Sequence, residues 1–364
     1  MRVKIAGTGS CLPRLRVTND DLGRIMDTSD AWIRSRTGIG ARHIAVEETT
    51  TGMSAAAARQ ALEEAGIQPE ELDLIIAATL TPDHIVPPLS CEVQRELGAV
   101  NAAAYDLCAA CSGFVFALNT AQAYIQSGMY RKILIIGAET LSKLLDWTDR
   151  STCVLFGDGA GAAVVTAEEQ GTFTGVQGSD GAKGEVLSCG GRPQTHPFMR
   201  QKADPVAVGC QADVDDAKHQ AGVGNTGCQA GVVCADSERN LEPGSRAGYP
   251  YVQMNGQEVY KFAVRTVPKC IGQVLEQAQW QPQDISLFLL HQANQRIIEA
   301  VAKRLRQPME KFPVCLEECG NISAASVPIL LDRVHKEGRL QRGDRIVLAG
   351  FGAGLTWGAV ALTW

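Results

Sequence analysis

The chain repeats one arrangement of strands in its two halves, and this duplication limits the folds that it can adopt. The first half contains ELDLIIAATLTP (71–82), an apolar run that ends in polar residues, and the second contains DISLFLLHQAN (284–294), which has the same form. Later in each half, KILIIGAE (132–139) with FGDGAGAAVVTA (156–167) is matched by DRIVLAGFGAGLTWGAVALTW (344–364). We interpret the pattern as an internal duplication in which each half closes on a glycine-rich pair of strands.

Helical segments alternate with these strands. Short apolar runs at 73–80 and 132–139 are typical of strands in a buried sheet. Between and around them, SAAAARQALEEAG (54–66) and GFVFALNTAQAYIQSG (113–128) are typical of helices that end at a glycine. The alternation predicts an α/β fold.

The length of the chain predicts two halves and one long excursion. A chain of 364 residues is too long for a single typical core, so we divide it into residues 1–170 and 171–364. Residues 189–248 are rich in Gly, Ala, Asp and Gln and show little periodicity. We interpret this segment as an insertion outside the core, either a surface loop or a partly disordered excursion.

Composition and charge exclude several classes of function. The content of 45% hydrophobic and 20% charged residues is typical of a globular protein, and the formal net charge of −6 argues against nucleic-acid binding. No apolar run is long enough to span a membrane. The N-terminus enters a strand-like segment without an apolar signal region, which predicts a cytoplasmic protein.

The 12 cysteines are expected to be free thiols, because the cytosol keeps thiols reduced. Cys108 and Cys111 have CxxC spacing, but the residues around them are not those of a thioredoxin-like βαβ unit. An alternative for the insertion is a zinc site formed by Cys210, Cys228, Cys234 and His219. Their spacings match no common zinc motif, so we expect no metal.

Three side chains supply a nucleophile and two nitrogen donors near the ends of strand-like runs. Cys111 follows AAAYDLC (102–108), His291 follows SLFLL (286–290), and Asn321 lies in a turn rich in small residues. Each residue alone is more commonly structural: a buried thiol, a histidine at a strand end, a turn asparagine. Together they lie where open α/β sheets hold their ligands.

The chain resembles the β-ketoacyl-[acyl carrier protein] synthase III family, whose thiolase-like fold has two duplicated βα halves in a five-layer α-β-α-β-α core. The matching segments are GTGSCLP (7–13), DTSDAWIRSRTGI (27–39), CSGFVFAL (111–118), TDRSTCVLFGDGAGAAVV (148–165), HQANQRII (291–298), GNISAASVP (320–328) and FGAGLTWG (351–358). They are interrupted only by the insertion. Ile322 stands where the family usually has Thr, and Ala353 stands where it usually has Gly.

The resemblance implies an acyltransferase that starts fatty acid synthesis by condensing an acyl-CoA with malonyl-[acyl carrier protein]. Cys111 would carry the acyl group as a thioester, with its thiolate favoured by the helix that follows. His291 and Asn321 would donate hydrogen bonds to the malonyl thioester carbonyl, and the N–H groups of Cys111 and Ala353 would form an oxyanion hole. No cofactor is implied, because the coenzyme A thioester is a substrate.

The resemblance also assigns residues around this catalytic set. Those for coenzyme A are Trp32, Arg36, Arg150 and Asn294. Those for the acidic carrier protein are Lys261, Arg296, Lys303 and Arg304. Val86 takes the place of a residue that closes the acyl pocket of the partner subunit in a homodimer. Acetyl-selective members have a bulky aromatic there, so valine predicts a preference for medium or branched acyl groups.

Three alternatives remain open. The nearest is a ketosynthase III-like acyltransferase or condensing enzyme of secondary metabolism. A non-catalytic subunit that only binds acyl carriers is disfavoured by the presence of Cys111, because such subunits typically lose the nucleophile. A thiolase would use a second cysteine such as Cys315 or Cys319 as a base, but the HQAN and GN motifs favour decarboxylative condensation.

Overall fold

Two mixed β-sheets and the helices that cover them make up the fold. The structure, a computed structural model, describes residues 1–191 and 250–364, and Met1–Cys189 with Tyr251–Trp364 forms a single contact unit. The strands in these ranges are β1 (Arg2–Cys11), β2 (Leu15–Thr18), β3 (Ala41–Ile44), β4 (Leu74–Ala78), β5 (Ala103–Leu107), β6 (Lys132–Thr140), β7 (Asp158–Glu168), β8 (Phe173–Ser179), β9 (Leu187–Cys189), β10 (Val252–Met254), β11 (Leu287–Leu290), β12 (Arg345–Gly352) and β13 (Thr356–Thr363).

Helices connect most of these strands. The α-helices are α1 (Asn19–Gly23), α2 (Asp30–Thr37), α3 (Thr50–Ala65), α4 (Leu89–Leu97), α5 (Gly113–Ser127), α6 (Gly256–Ala278), α7 (Gln295–Leu305), α8 (Leu316–Cys319) and α9 (Ser326–Lys336). Single turns of 3₁₀ helix include Ala110–Ser112 and Ser323–Ala325. As the sequence predicts, Gly66 and Gly128 end α3 and α5, with φ of +65° and +78°.

The two sheets share one strand arrangement. In the first, β1 and β6 are antiparallel to β7, and β4 runs parallel to both β6 and β5. In the second, β8 and β12 are antiparallel to β13, and β11 runs parallel to β12. β4 and β11 therefore hold equivalent places, as do the pairs β6–β7 and β12–β13. These are the segments that the sequence pairs, so the predicted duplication is confirmed.

Alternate side chains of the strands face different layers of helices. Ile135 of β6 and Leu348 of β12 face the middle of the molecule, where they pack with residues of α5 and α9 in one core cluster. The adjacent Leu134 packs with α3 and α4 on the outer face of the first sheet. Val347 packs with α6 and α7 on the outer face of the second sheet. This confirms the predicted five-layer α-β-α-β-α core, and burial on both faces explains the continuous apolar runs of the strands.

The middle layer ties the two halves of the chain together. The first sheet draws on strands up to Glu168, and the second begins at Phe173. Helices α5 and α9 each contact strands of both sheets. The division into domains 1–170 and 171–364 stays a prediction, because this shared core spans the boundary.

Two expectations concern what the chain lacks. No helix in residues 1–191 or 250–364 is long and apolar enough to cross a membrane. Within the same ranges, no group of three or more His, Cys, Asp or Glu side chains is placed to hold a metal ion. Nearly all of the 189–248 insertion lies outside the described residues, and so do Cys210, Cys228, Cys234 and His219.

Candidate active site

The thiol of Cys111 lies on a tight turn between β5 and α5. Ala110, just before it, has a φ of +45°, a left-handed conformation that is uncommon for a residue other than glycine. Cys111 is only 7% exposed. The end of β12 closes over it: a Cβ atom at Gly352 would lie 2.7 Å from the Cβ of Cys111. Glycine at this position lets the second sheet pack directly against the turn that carries Cys111.

His291 follows β11 and is buried in the same cavity as Cys111. Its Nδ1 lies 2.6 Å from the Ser326 hydroxyl oxygen, and its ring forms a T-shaped pair with the ring of Phe351 at a centroid distance of 5.2 Å. Burial lowers the pKa of His291 to about 3. The imidazole is therefore neutral at physiological pH, and one of its nitrogens carries a proton that it can donate.

Hydrogen bonds of its backbone and of its side-chain oxygen hold Asn321 in place. Its N–H donates to the carbonyl of Leu155 at 2.9 Å, and its own carbonyl accepts from the N–H of Gly157 at 3.0 Å. The side-chain Oδ1 accepts from the N–H of Ser323 at 2.9 Å. This arrangement leaves the Nδ2 group of Asn321 as a donor for a ligand.

One cavity of about 100 Å³ brings the three residues together. Cys111, His291 and Asn321 all line it, although they come from widely separated parts of the chain. The rest of its wall is mostly apolar and includes Leu155, Phe156, Leu187, Met254, Ile297 and Phe351. A narrow, apolar space with few polar groups suits an acyl chain and excludes bulk water.

The pKa of Cys111 differs from the expectation. The sequence places the thiol at a helix start and predicts a favoured thiolate, but burial raises its pKa to about 11. The Ser323 hydroxyl acts in the opposite direction, and the charge of Glu139 raises the pKa further. Loss of solvent is the largest contribution to this shift. Cys111 is thus a neutral thiol in the free enzyme.

The turn predicted to complete an oxyanion hole is fixed beside Cys111. Ala353 directly follows Gly352, and its carbonyl lies 2.9 Å from the Thr356 hydroxyl. The same hydroxyl is 3.0 Å from the hydroxyl of Ser112, the residue after Cys111. Thr356 therefore ties the turn that contains Ala353 to the turn that contains the thiol.

The residues assigned to coenzyme A form a group on the surface. Trp32 is half-buried, and the guanidinium carbons of Arg36 and Arg150 lie 4.9 and 5.3 Å from the centre of its ring. Arg150 is held in place by a hydrogen bond of 2.7 Å to the carbonyl of Asp27. Two cations against a half-buried aromatic ring are the kind of groups that bind a flat, phosphate-bearing ligand.

Asn294 connects this group with the cavity. It lines the cavity, and its Nδ2 donates to the carbonyl of Arg36 at 3.0 Å. Its Oδ1 accepts from the N–H of Arg296, in the first turn of α7, so Asn294 caps this helix. Arg296 itself is exposed and donates to the carbonyl of Ser35. The residues predicted to bind coenzyme A therefore lead from the surface to the catalytic set.

The residues assigned to the carrier protein lie on α6 and α7. Lys261 and Arg304 line one surface groove, and Lys303 is exposed beside Arg304. The groove contains two more cations that the sequence analysis missed, Lys183 and Arg265. Arg265 is one helical turn after Lys261, a spacing that could have identified it. Nothing local in the sequence points to Lys183.

Val86 does not line the cavity of its own chain. It lies before α4 and is 81% exposed, and its neighbour Ile85 is 83% exposed. The expectation that Val86 closes the acyl pocket of a partner subunit stays a prediction.

The sequence analysis missed three polar residues around the catalytic set. Ser326 contacts His291, and Ser323 and Glu139 both affect the pKa of Cys111. Burial raises the pKa of Glu139 to about 7. An acidic residue at the end of the apolar strand KILIIGAE was a signal, because carboxyl ends of parallel strands are where such sheets place their sites.

Comparisons with known proteins identify the family of the chain. The family model described as 3-oxoacyl-[acyl-carrier-protein (ACP)] synthase III matches residues 105–181, and the model of its C-terminal part matches residues 275–364. The chain is 43% identical over 363 residues to the beta-ketoacyl-[acyl-carrier-protein] synthase III of Clostridium acetobutylicum, covering 100% of this chain and 98% of the relative. The corresponding protein of Clostridium tetani is 42% identical with the same coverage.

Solved structures give the same result. The 3-oxoacyl-[acyl-carrier-protein] synthase III of Aquifex aeolicus superposes with a TM-score of 0.82 at 42% identity, with 100% of both chains covered. The priming beta-ketosynthase of the R1128 polyketide pathway also has a TM-score of 0.82, at 34% identity, covering 100% of this chain and 96% of that one. The chain belongs to the 3-oxoacyl-[acyl-carrier-protein] synthase III family of condensing acyltransferases.

Proposed function

We propose that this chain condenses an acyl-CoA starter with malonyl-[acyl carrier protein], using Cys111 as the acyl carrier and His291 and Asn321 as donors to the malonyl carbonyl. The products are 3-oxoacyl-[acyl carrier protein], coenzyme A and CO₂, and the reaction starts fatty acid synthesis. The observation that carries the proposal is the single cavity lined by all three residues.

Acyl transfer comes first. The sulfur of Cys111 attacks the thioester carbonyl of the acyl-CoA, a new carbon–sulfur bond forms, and coenzyme A leaves. Negative charge develops on the carbonyl oxygen, and the N–H groups of Cys111 and Ala353 stabilise it. Gly352 allows these two backbone segments to lie side by side. Acylation before the second substrate binds gives ping-pong kinetics.

Condensation follows in the same cavity. His291 and Asn321 hold the thioester carbonyl of the malonyl group, and CO₂ leaves as electrons move onto that oxygen. Neutral donors stabilise the enolate in a site that excludes water. The carbanion then attacks the acyl group on Cys111 and releases the thiolate. Both donors are buried and neutral, as this step needs.

Two groups of surface residues fit coenzyme A and the acyl carrier protein, the molecules that carry the two substrates. Trp32 with Arg36 and Arg150 receives the nucleotide end of coenzyme A, and Asn294 lies on the way to the cavity. The carrier protein is acidic, so it docks on the cations of α6 and α7: Lys261, Arg296, Lys303 and Arg304. Such local basic clusters matter in a chain with a net charge of −6, because they orient an acidic partner.

The proposal includes a cytoplasmic homodimer that needs no cofactor. Large apolar side chains as exposed as Ile85 and Val86 are typical of contact surfaces. In the dimer Val86 closes the acyl pocket of the partner subunit, and its small side chain leaves a deeper pocket. A second candidate is a condensing enzyme of secondary metabolism, which is favoured by the likeness to the R1128 priming ketosynthase.

Acylation and peptide mapping test the proposal. The protein is incubated with acetyl-, butyryl-, isobutyryl- and octanoyl-CoA, and the acylated residue is located by mass spectrometry. The label is expected on Cys111 alone, with no label on a Cys111→Ser variant. Cys108→Ser is the matched control, because Cys108 is an exposed free thiol three residues away. An acyl group on Cys108 or Cys315 in the unmodified protein would show that the assignment is wrong.

A further inference from the structure

Arg42 of β3 is a completely buried cation. It is 0% exposed, and although burial lowers the pKa of its guanidinium to about 10, the group stays charged at physiological pH. In the described part of the chain, its hydrogen bonds go only to uncharged oxygens, namely the carbonyls of Val17 and Val154 and the side-chain oxygen of Asn19. Burying a charge without an opposite charge is costly, so this arginine calls for an explanation.

One side of the guanidinium holds the segment that supports Asn321. Nη2 of Arg42 donates to the carbonyl of Val154 at 2.7 Å. The carbonyl of the next residue, Leu155, accepts from the N–H of Asn321, and the N–H of Gly157 donates to the carbonyl of Asn321. This segment therefore links the buried cation to the backbone that presents the Asn321 amide.

The same arginine packs tightly against the turn that contains Asn321. A Cβ atom at Gly320, the residue before Asn321, would lie 3.2 Å from the Cβ of Arg42, and one at Gly157 would lie 3.1 Å from it. Both distances are shorter than ordinary van der Waals contact, so glycine at these positions lets the arginine lie this close. Such close packing leaves little room for the Asn321 turn to move independently of Arg42.

The other side of the guanidinium holds α2, the helix that carries two of the residues assigned to coenzyme A. Nη1 of Arg42 donates to Oδ1 of Asn19 at 2.9 Å. The Nδ2 group of Asn19 donates to Oδ1 of Asp30 at 2.9 Å and to the carbonyl of Ile39 at 2.7 Å. Asp30 is the first residue of α2, and Ile39 is the second residue after its end. Asn19 therefore fixes both ends of α2 and connects the helix to Arg42.

We propose that Arg42 is a positioning residue that fixes Asn321 and α2 relative to each other, so that one buried cation sets the geometry of both the malonyl site and the coenzyme A site. The proposal rests on the function proposed above, which assigns those two sites. Arg42 does not line the cavity and acts only through the segments that it holds. A guanidinium suits this task because its planar fork donates in two directions at once, whereas the ammonium of lysine is a single point charge.

Loss of the guanidinium should affect the two sites in different ways. The carbonyl of Val154 and Oδ1 of Asn19 would be left without this donor in the interior, so the segments that contain them would shift toward other partners. Displacement of Asn321 slows the release of CO₂ from malonyl-[acyl carrier protein], a step that needs no coenzyme A. Displacement of α2 weakens the binding of acyl-CoA, whereas the reaction of bound acyl-CoA with Cys111 is little affected.

The test measures the two half-reactions separately for Arg42→Met, Arg42→Lys and Asn19→Ala, well below the thermal midpoint of each variant. For Arg42→Met, CO₂ release is expected to fall about 10²-fold, the loss that a misplacement of about 1 Å can cause. KM for butyryl-CoA in the acylation of Cys111 should rise several-fold while kcat stays nearly unchanged. Asn19→Ala interrupts only the connection to α2, so it should raise the same KM and leave CO₂ release nearly unchanged.

Arg16→Met is the matched control. Arg16 lies on β2, the strand that pairs with β3, and forms an ion pair of 3.1 Å with Glu318 of α8, three residues before Asn321. Both side chains of this pair are exposed, and exposed ion pairs contribute little. Both half-reactions of Arg16→Met should therefore match those of the unmodified protein.

Arg42→Lys and Asn19→Ala decide the test even if Arg42→Met does not fold. Arg42→Lys keeps the charge without the fork and should show the losses of Arg42→Met to a smaller degree, so full activity of this variant would overturn the proposal. Equal losses of kcat in the two half-reactions would mean general damage to the fold and would also overturn it. Unchanged half-reactions in every variant would overturn the positioning role and leave the proposed function intact. Absence of both half-reactions in the unmodified protein would instead overturn the function.

Discussion

Nδ1 of His291 lies 2.6 Å from the hydroxyl oxygen of Ser326, and this contact bears on which ring nitrogen carries the proton. The Ser326 hydroxyl has two acceptors within reach, Nδ1 and the carbonyl of Ser323 at 2.9 Å. It also accepts from the N–H of Gln292 at 3.3 Å. A histidine that donates to the malonyl carbonyl needs its proton on Nε2, which requires Ser326 to donate to Nδ1.

Replacing Ser326 by alanine should destabilise the Nε2-protonated tautomer of His291. We expect Ser326→Ala to move part of the His291 population to the Nδ1-protonated form and to slow malonyl decarboxylation about tenfold, roughly the value of one hydrogen bond. Acylation of Cys111 should change little. Nitrogen-15 NMR of the imidazole reports the tautomer directly, and Ser326→Thr should restore it. An unchanged imidazole spectrum in Ser326→Ala would mean that another contact sets the tautomer.

The two half-reactions should respond differently to loss of the donors. His291→Ala and Asn321→Ala each remove a hydrogen bond to the malonyl carbonyl, and loss of one such donor costs on the order of 10²–10³ in rate. We expect that loss in the release of CO₂ from malonyl-[acyl carrier protein], with a much smaller effect on acylation of Cys111. Equal losses in both half-reactions would contradict the roles assigned to these donors.

Chain-length preference should depend on Val86. Each additional buried CH₂ contributes about 0.8 kcal/mol, so butyryl- or isobutyryl-CoA should acylate the protein with a higher kcat/KM than acetyl-CoA. Val86→Phe should fill the pocket of the partner subunit and shift the preference to acetyl-CoA. Val100→Phe is the control, because Val100 is 73% exposed but lies after α4 rather than before it. A strong acetyl preference in the unmodified protein would contradict the prediction.

Charge reversal in the groove should weaken binding of the carrier protein without affecting binding of the acyl-CoA. Lys261→Glu and Arg304→Glu are expected to raise KM for malonyl-[acyl carrier protein] several-fold and to leave KM for the acyl-CoA unchanged. The effect should decrease as salt is added, because surface charges are screened. Arg95→Glu provides an exposed control on α4. An equal rise in KM for both substrates would indicate that the groove does not distinguish them.

Local patterns in the sequence predict most of the fold. The paired segments become equivalent strands because both faces of each sheet are buried, so each strand is a continuous apolar run. Helix ends are accurate where glycine takes a positive φ, as at Gly66. The start of α3 is four residues earlier than the sequence indicates. Thr49 accepts a hydrogen bond of 2.9 Å from the N–H of Gly52 and so caps the helix at Thr50.

The surroundings of the site are harder to predict from the sequence than the fold is. Glu139 meets Thr81 across 58 residues of chain, and His291 meets Ser326 across 35 residues. Only the fold decides such contacts. The acidity of Cys111 shows the same limit: the helix start is visible in the sequence, but the burial that raises the pKa of the thiol is not, and Gly352 packs against Cys111 from the other half of the chain.

Transfer of the acyl group from isolated acyl-enzyme to a malonyl carrier tests the central claim most directly. Protein acylated on Cys111 with isotope-labelled butyryl-CoA is freed of coenzyme A and mixed with malonyl-[acyl carrier protein], and intact masses are followed. We expect the label to leave Cys111 and to appear in 3-oxohexanoyl-[acyl carrier protein], with one CO₂ released for each acyl group lost. Label that stays on Cys111, or leaves it as butyrate while the malonyl group keeps its carboxylate, would contradict decarboxylative condensation by this protein.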